Sequence, residues 1–293
     1  MHREALAALT YGILEEKGFI VVTGEAGTGK TTLLSRLLRM IPGARTAFSL
    51  VLNPTLSPEE FLESALADFG IEEIPNSKMH RLLKLQQFLT TARSSGKICV
   101  LVADEAHKLS SEVLEEIRLL TNFENAERKL LQIVLAGQTE LRNILNTEEL
   151  RQLKQRIAVR CELRPLSNAE VAEYMYFRWA RAGGADEPPF DEDAIDIIAC
   201  ASRGIPRVIN ALCDGALILI YATGDSSVTA AHARQVARDL DLGVAEYALA
   251  PKEHKLPAAN ASPAHARLNL PRPEPLKPAK ETRGFRVRIR IRK

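Results

Sequence analysis

At 293 residues with 46% hydrophobic content, the chain is long enough for one α/β core and a smaller satellite domain, and its four scattered cysteines, with no Cys-x-x-Cys pair, indicate neither a disulfide nor a metal framework. No apolar stretch approaches the roughly eighteen residues of a membrane span, and the opening Met1-His2-Arg3-Glu4 lacks the layout of a signal peptide, so a cytoplasmic protein, at most peripheral to the inner membrane, is expected. The formal charge of +2 divides unevenly: residues 243–293 carry 12 Lys/Arg against 4 Asp/Glu, which leaves 27 against 33 for residues 1–242, an acidic body with a basic tail.

The first predicted strand is the apolar run Gly18-Phe19-Ile20-Val21-Val22-Thr23, which ends in a glycine-rich loop; Lys30 to Met40 then has Leu33, Leu34, Leu37 and Leu38 on one helical face. Similar runs at Thr46–Leu52, Ile98–Ala103, Leu131–Ala136 and Ala158–Leu163 alternate with helical patterns, which predicts five parallel strands covered on both faces. Ser57-Pro58-Glu59-Glu60 reads as a capping box opening a helix that buries Phe61, Leu62, Leu66 and Phe69, and Ser110 or Ser111 caps another.

After Leu163 no strand-like run follows. Helices are predicted at 167–182, 191–203, 207–222 and 229–241, with Ser167 and Glu170 as a second capping box, Gly183-Gly184 as a stop, and Asp191 and Thr229 as caps. The boundary near Arg164-Pro165 divides a core, 1–164, from a helical domain, 165–242. The remainder, 243–293, holds seven prolines and too little apolar surface to offset the entropy of ordering, so it reads as disordered. At its end Phe285, Val287, Ile289 and Ile291 alternate with Arg286, Arg288, Arg290 and Arg292. Tyr11 and the lone Trp179 are assigned to packing, and Cys99 to the sheet core.

The loop Gly24-Glu25-Ala26-Gly27-Thr28-Gly29-Lys30-Thr31, followed by Thr32, has the composition that a triphosphate requires. Backbone N–H groups can turn toward phosphate oxygens only where side chains do not intervene, which Gly24, Gly27 and Gly29 permit. Lys30 would reach the β- and γ-phosphates of ATP, and the Thr31 hydroxyl would hold Mg2+. A second carboxylate-bearing strand end is needed, and Ile98–Ala103 runs into Asp104-Glu105: Asp104 for Mg2+, Glu105 as general base on the attacking water. Asp104-Glu105-Ala106-His107 also spells the tetrapeptide of one helicase class, but no second ATP-gripping domain follows. His107 then reads as an ordinary residue opening the next helix, or as a link from Glu105 to the rest of the site.

With these motifs the sequence resembles the AAA+ superfamily, and within it the bacterial branch of general secretion pathway protein A (ExeA-type) ATPases and TniB- and MuB-type transposition ATPases. The opening His2-Arg3-Glu4-Ala5-Leu6 through Tyr11-Gly12-Ile13 resembles the branch's helix before the P-loop, and Val134-Leu135-Ala136-Gly137-Gln138-Thr139-Glu140-Leu141 its fourth strand and sensor. Gln155-Arg156-Ile157 with Leu163-Arg164-Pro165-Leu166 resembles the approach to strand five, and Gly204-Ile205-Pro206-Arg207-Val208-Ile209-Asn210 the lid signature. The resemblance implies sensor 1 at Gln138, sensor 2 at Arg207 and an arginine finger at Arg156, with Arg151 and Arg160 as competitors. It departs from the branch at both ends: the upstream stretch that can supply adenine contacts is not in this sequence, nor are the membrane span and peptidoglycan-binding domain of the secretion members.

Two functions follow from this reading. One is a homo-oligomeric ATP-driven switch acting on a protein client, with an envelope or secretion component as the family-level expectation. The other is an ATP-dependent DNA-binding regulator of the transposition type, in which the arginine tail contacts phosphates; a solubilising tail, or one that meets an anionic membrane or an acidic protein, fits the same composition.

Overall fold

Apolar runs bounded by turn residues become the strands β1 (Phe19–Gly24), β2 (Thr46–Val51), β3 (Ile98–Ala103), β4 (Leu131–Gly137) and β5 (Val159–Leu163), paired in parallel in the order β2-β3-β4-β1-β5. Each agrees with the expected run to within one residue at either end. The computed structural model describes residues 2–242 apart from 44, 54, 126–127 and 185–186; the basic tail and its alternating arginines lie outside the described residues. Burial follows position in the sheet. The inner strands β1 and β4 are buried throughout, as strands covered on both faces must be, whereas the edge strand β5 alternates exposed and buried positions.

Period-two alternation divides the inner strands between two apolar clusters. Phe19, Val21, Cys99, Leu101, Ile133 and Leu135 pack under α3 (Pro58–Asp68), α4 (Lys78–Ser94) and α5 (Ser111–Leu120). Ile20, Val22, Val100, Val102, Val134 and Ala136 face α1 (His2–Leu14) and α2 (Lys30–Met40). Burial in the first cluster pushes the Cys99 thiol up to about 11, so it stays protonated at neutral pH. Between β4 and β5 the chain forms two short helices, α6 (Glu140–Ile144) and α7 (Arg151–Gln155).

The last four helices, α8 (Asn168–Arg181), α9 (Glu192–Ser202), α10 (Pro206–Thr223) and α11 (Ala230–Asp239), have an apolar cluster of their own built on Val171, Met175, Ile198, Leu212 and Val236. The capping residues do as the sequence leads one to expect: Ser57 N–H donates to Glu60 at 2.8 Å, Ser167 N–H to Glu170 at 2.9 Å, and Asp191 Oδ1 accepts from Ala194 N–H at 2.7 Å. Of the two serines offered as caps for α5 it is Ser110 that caps, accepting from Val113 N–H, and Ser111 is the first helical residue. Tyr11 is a correction. Its ring is 55% exposed on the outer face of α1, with Lys17 Nζ 5.2 Å from its centroid, whereas Trp179 is half-buried against Gly184.

Gly204 ties α9 and α10 to the segment that leaves β5. Its φ of +71° is left-handed, a Cβ there would stand 1.9 Å from the Leu166 carbonyl oxygen, and its own carbonyl accepts from Leu166 N–H at 2.8 Å. Gly204→Ala is expected to lower stability by on the order of 2 kcal/mol, read as a reduced thermal midpoint; an unchanged melt would mean that this connection yields freely.

Candidate functional site

Because β3, β4 and β1 are neighbours and parallel, the loops leaving their C-terminal ends meet at one edge of the sheet, the position at which open α/β sheets bind ligands. Three sequence motifs separated by up to about a hundred residues thereby converge. From β1 comes the loop that opens α2. Gly27 has φ +83°, and a Cβ on it would lie 2.8 Å from Cβ of Arg207, so the loop carries no side chain where α10 approaches it. Arg207 N–H donates to Gly27 O at 3.3 Å, which sets the start of α10 on the loop itself.

Lys30 is 6% exposed, and its Nζ donates to Gly24 O at 2.8 Å and Glu25 O at 2.9 Å. Burial lowers its pKa, an effect opposed by the negative charges of Glu105, Asp104 and Glu140 and reinforced by the positive charge of Arg207. One ammonium thus sits among the groups predicted to handle phosphate, metal and water. The Thr31 hydroxyl donates to Asp104 Oδ2 at 2.8 Å, and Asp104 Oδ1 accepts from Glu105 N–H at 2.8 Å. Two hard oxygen ligands from different elements therefore lie side by side, and an exposed Thr32 follows on the first turn of α2. Glu25 and Ala26 are exposed at the mouth of the loop, while Thr28 is buried, its hydroxyl donating to Glu25 O at 2.8 Å.

Glu105 has φ +53°, a conformation unfavourable for a residue with a side chain, and its carboxylate is 36% exposed. That turn directs the chain from β3 into a 3₁₀ turn, Ala106–Lys108, and leaves the carboxylate facing out from the strand end rather than into the core. Lys108 Nζ is 3.3 Å from Glu105 Oε2. Gln138 follows β4, and its N–H donates to His107 Nδ1 at 3.2 Å. His107 therefore opens no α-helix; it lies in the 3₁₀ turn, between the ends of β3 and β4.

Arg156 is not brought to this edge. It precedes β5, at the N-terminal ends of the strands, roughly 16 Å of strand away from the loop. There its Nη1 donates to Thr121 Oγ1 and Asn122 Oδ1, both at 2.6 Å. Of its competitors, Arg151 pairs with Glu148 at 3.3 Å and Arg160 is exposed on β5. Two contacts went unread in the sequence. His2 Nε2 lies 2.9 Å from Thr28 O, which joins α1 to the glycine loop, and Ile205 packs on Gly27. Neither carries a local signal, since each depends on where a distant helix docks.

The Thr31 and Asp104 pair suits Mg2+, which takes one or two protein oxygens and completes its shell with phosphate oxygens and water. Among the described residues no group of three or more His, Cys, Asp or Glu forms an all-protein metal cage. No described helix is long and apolar enough to cross a membrane.

Residues 13–145 match a protein family described as an AAA domain. General secretion pathway protein A of Aeromonas hydrophila is 41% identical over 228 residues, 78% of this chain, and the chain spans 41% of that relative's length. Cdc6p from Pyrobaculum aerophilum superposes with a TM-score of 0.62 at 17% identity, over 81% of this chain and 66% of that one. The ORC2 protein of Aeropyrum pernix gives 0.56 at 16% identity, over 80% and 66%. The Holliday junction branch migration motor RuvB of Thermotoga maritima gives 0.54 at 18%, over 81% and 69%. At such identities the three solved structures share the fold.

Proposed function

Since the chain belongs to the AAA+ P-loop proteins, on the branch of general secretion pathway protein A, we propose that it binds ATP with Mg2+ and hydrolyses it, as an oligomeric switch serving a secretion or cell-envelope assembly system. The observation that carries this reading is the meeting of Lys30, Thr31, Asp104 and Glu105 at one sheet edge. The core, 1–164, supplies the loop and both carboxylates, and the helical lid, 165–242, supplies Arg207.

Each residue has a task that follows from its position. The backbone N–H groups of Gly29 and Lys30 stand at the start of α2, where the helix dipole favours anions, while that of Thr28 donates to Glu25 O at 3.3 Å. Lys30 exchanges its two backbone carbonyls for β- and γ-phosphate oxygens, a stronger, charge-assisted pairing for a desolvated ammonium. Mg2+ bound beside Thr31 and Asp104 supplies charge neutralisation across the phosphates. Glu105 accepts a proton from the attacking water, and Gln138 orients polar atoms at the γ-phosphate. Arg207, fastened to the loop through Gly27, reports phosphate occupancy to the lid.

Arg156 serves a neighbouring subunit. It lies too far from its own loop to reach it, and it is held by two neutral oxygens while nearby Glu115 and Glu124 are paired with Arg118 and Lys129, so among the described residues no carboxylate pairs with it directly. ATP hydrolysis per subunit is therefore expected to rise with protein concentration and to fall by about 10²-fold in Arg156→Ala. A rate independent of concentration and indifferent to Arg156 would mean that one subunit completes its own site. The secretion role rests on the relative's identity over two fifths of its length. The DNA-binding alternative rests on the arginine-rich tail sequence.

A further inference from the structure

The imidazole of His107 lies between the end of β4 and the proposed general base, and the ATPase reading leaves it without a task. Its Nδ1 accepts from the Gln138 backbone N–H at 3.2 Å. A backbone N–H can only donate, so Nδ1 carries the lone pair, and a neutral ring then bears its proton on Nε2. That Nε2 lies 3.8 Å from Glu105 Oε2, one short rotamer adjustment from a hydrogen bond. The ring is also held in place, being 10% exposed. Gly137 lets the 3₁₀ turn press on the end of β4: a Cβ at Gly137 would stand 3.0 Å from the His107 backbone nitrogen.

We infer that His107 is a positioning residue, coupling the end of β4 at Gln138 to the carboxylate of Glu105. This rests on the assignment of Glu105 as general base. Two donors lie near the same oxygen of Glu105. Lys108 Nζ, at 3.3 Å, sits on a side chain 55% exposed and holds it weakly; the Nε2–H of His107, on a side chain only 10% exposed and now 3.8 Å away, would hold it more rigidly once the carboxylate turns to it. The left-handed backbone of Glu105 points the carboxylate out, and the choice of donor decides where it aims. A shift of Gln138 on contact with the γ-phosphate moves the ring through the Nδ1 bond and carries Glu105 from Lys108 toward His107, which aligns the base only when the sensor is engaged. The coupling uses a two-position carboxylate and one rigid intermediary, so it requires no longer pathway.

Two substitutions separate the ends of the ring. His107→Asn keeps an acceptor for the Gln138 N–H but has no donor that reaches Glu105; His107→Gln extends an amide donor toward Glu105. With the full chain, steady-state ATP hydrolysis is measured beside equilibrium binding of a fluorescent ATP analogue. His107→Asn is expected to lower kcat by about 10–100-fold with binding unchanged, and His107→Gln, which restores the donor to Glu105 but not the acceptor for Gln138, to recover part of that loss. In the Glu105→Gln background, measured by single turnover, His107→Asn is expected to cost nothing further, because the group it positions is gone. Equal rates in all three proteins, equal losses in both His107 variants, or losses that add to Glu105→Gln would each overturn the inference. Should His107→Asn fail to fold, the tautomer decides: long-range nitrogen-15 spectra of the histidine-labelled wild type, with the His107 signal assigned from His107→Gln, must show Nε2 protonated, and a proton on Nδ1 overturns it. A wild type that hydrolyses no ATP, or a fully active Glu105→Gln, would instead remove the ATPase assignment itself.

Discussion

Glu105→Gln is expected to bind ATP as tightly as the wild type and to turn it over about 10²–10⁴-fold more slowly. The amide is nearly isosteric and keeps the backbone N–H that donates to Asp104 Oδ1, so the metal-side pair of Thr31 and Asp104 stays in place. What is lost is the carboxylate at the end of β3, the proposed proton acceptor. The carboxylate projects outward because residue 105 adopts φ +53°, and that strain has no evident structural return, as expected where backbone geometry serves chemistry. The check is a pair of measurements: equilibrium binding of an ATP analogue and steady-state phosphate release. Normal turnover in the variant would move the general base elsewhere.

Lys30→Ala is expected to weaken ATP binding by about 10²–10³-fold, in keeping with the 2–5 kcal/mol typical of truncating one partner of a buried charge pair. Lys30 is buried, its charge is disfavoured there, and among the described residues its hydrogen-bond partners are the carbonyls of Gly24 and Glu25. Its desolvation is therefore recovered only when phosphate oxygens replace those carbonyls. The same reasoning predicts that the nucleotide-free fold loses little, since removing the ammonium also removes a group that burial penalises. Titration of the variant with an ATP analogue, alongside its thermal midpoint, separates the two effects. Undiminished binding would show that the loop's backbone N–H groups hold the triphosphate without it.

Five strands, seven of the helices and two of the capping boxes were legible in the chain, because hydrophobic period and capping chemistry act over a few residues and leave a local trace. The glycine loop and the Asp104-Glu105 strand end stand out in the sequence for a like reason, each being a contiguous run read locally; phosphate and Mg2+ are the tasks proposed for them. The third dimension decided what those residues do to one another. That β4 lies between β1 and β3 brings Gln138 to the same edge as Lys30 and Asp104, an order no local signal encodes. It also placed Arg156 at the opposite edge beside Thr121 and Asn122, and of the two readings of His107 it favours the link, with Nδ1 on the Gln138 N–H and Nε2 3.8 Å from Glu105. His2 reaches the glycine loop, and Tyr11 turns outward, because α1 packs with its Ala5, Leu9 and Ile13 face on the sheet. Side-chain type and period are short-range properties that sequence alone determines; contacts between groups tens of residues apart depend on which faces are buried together, and only the packed structure decides that.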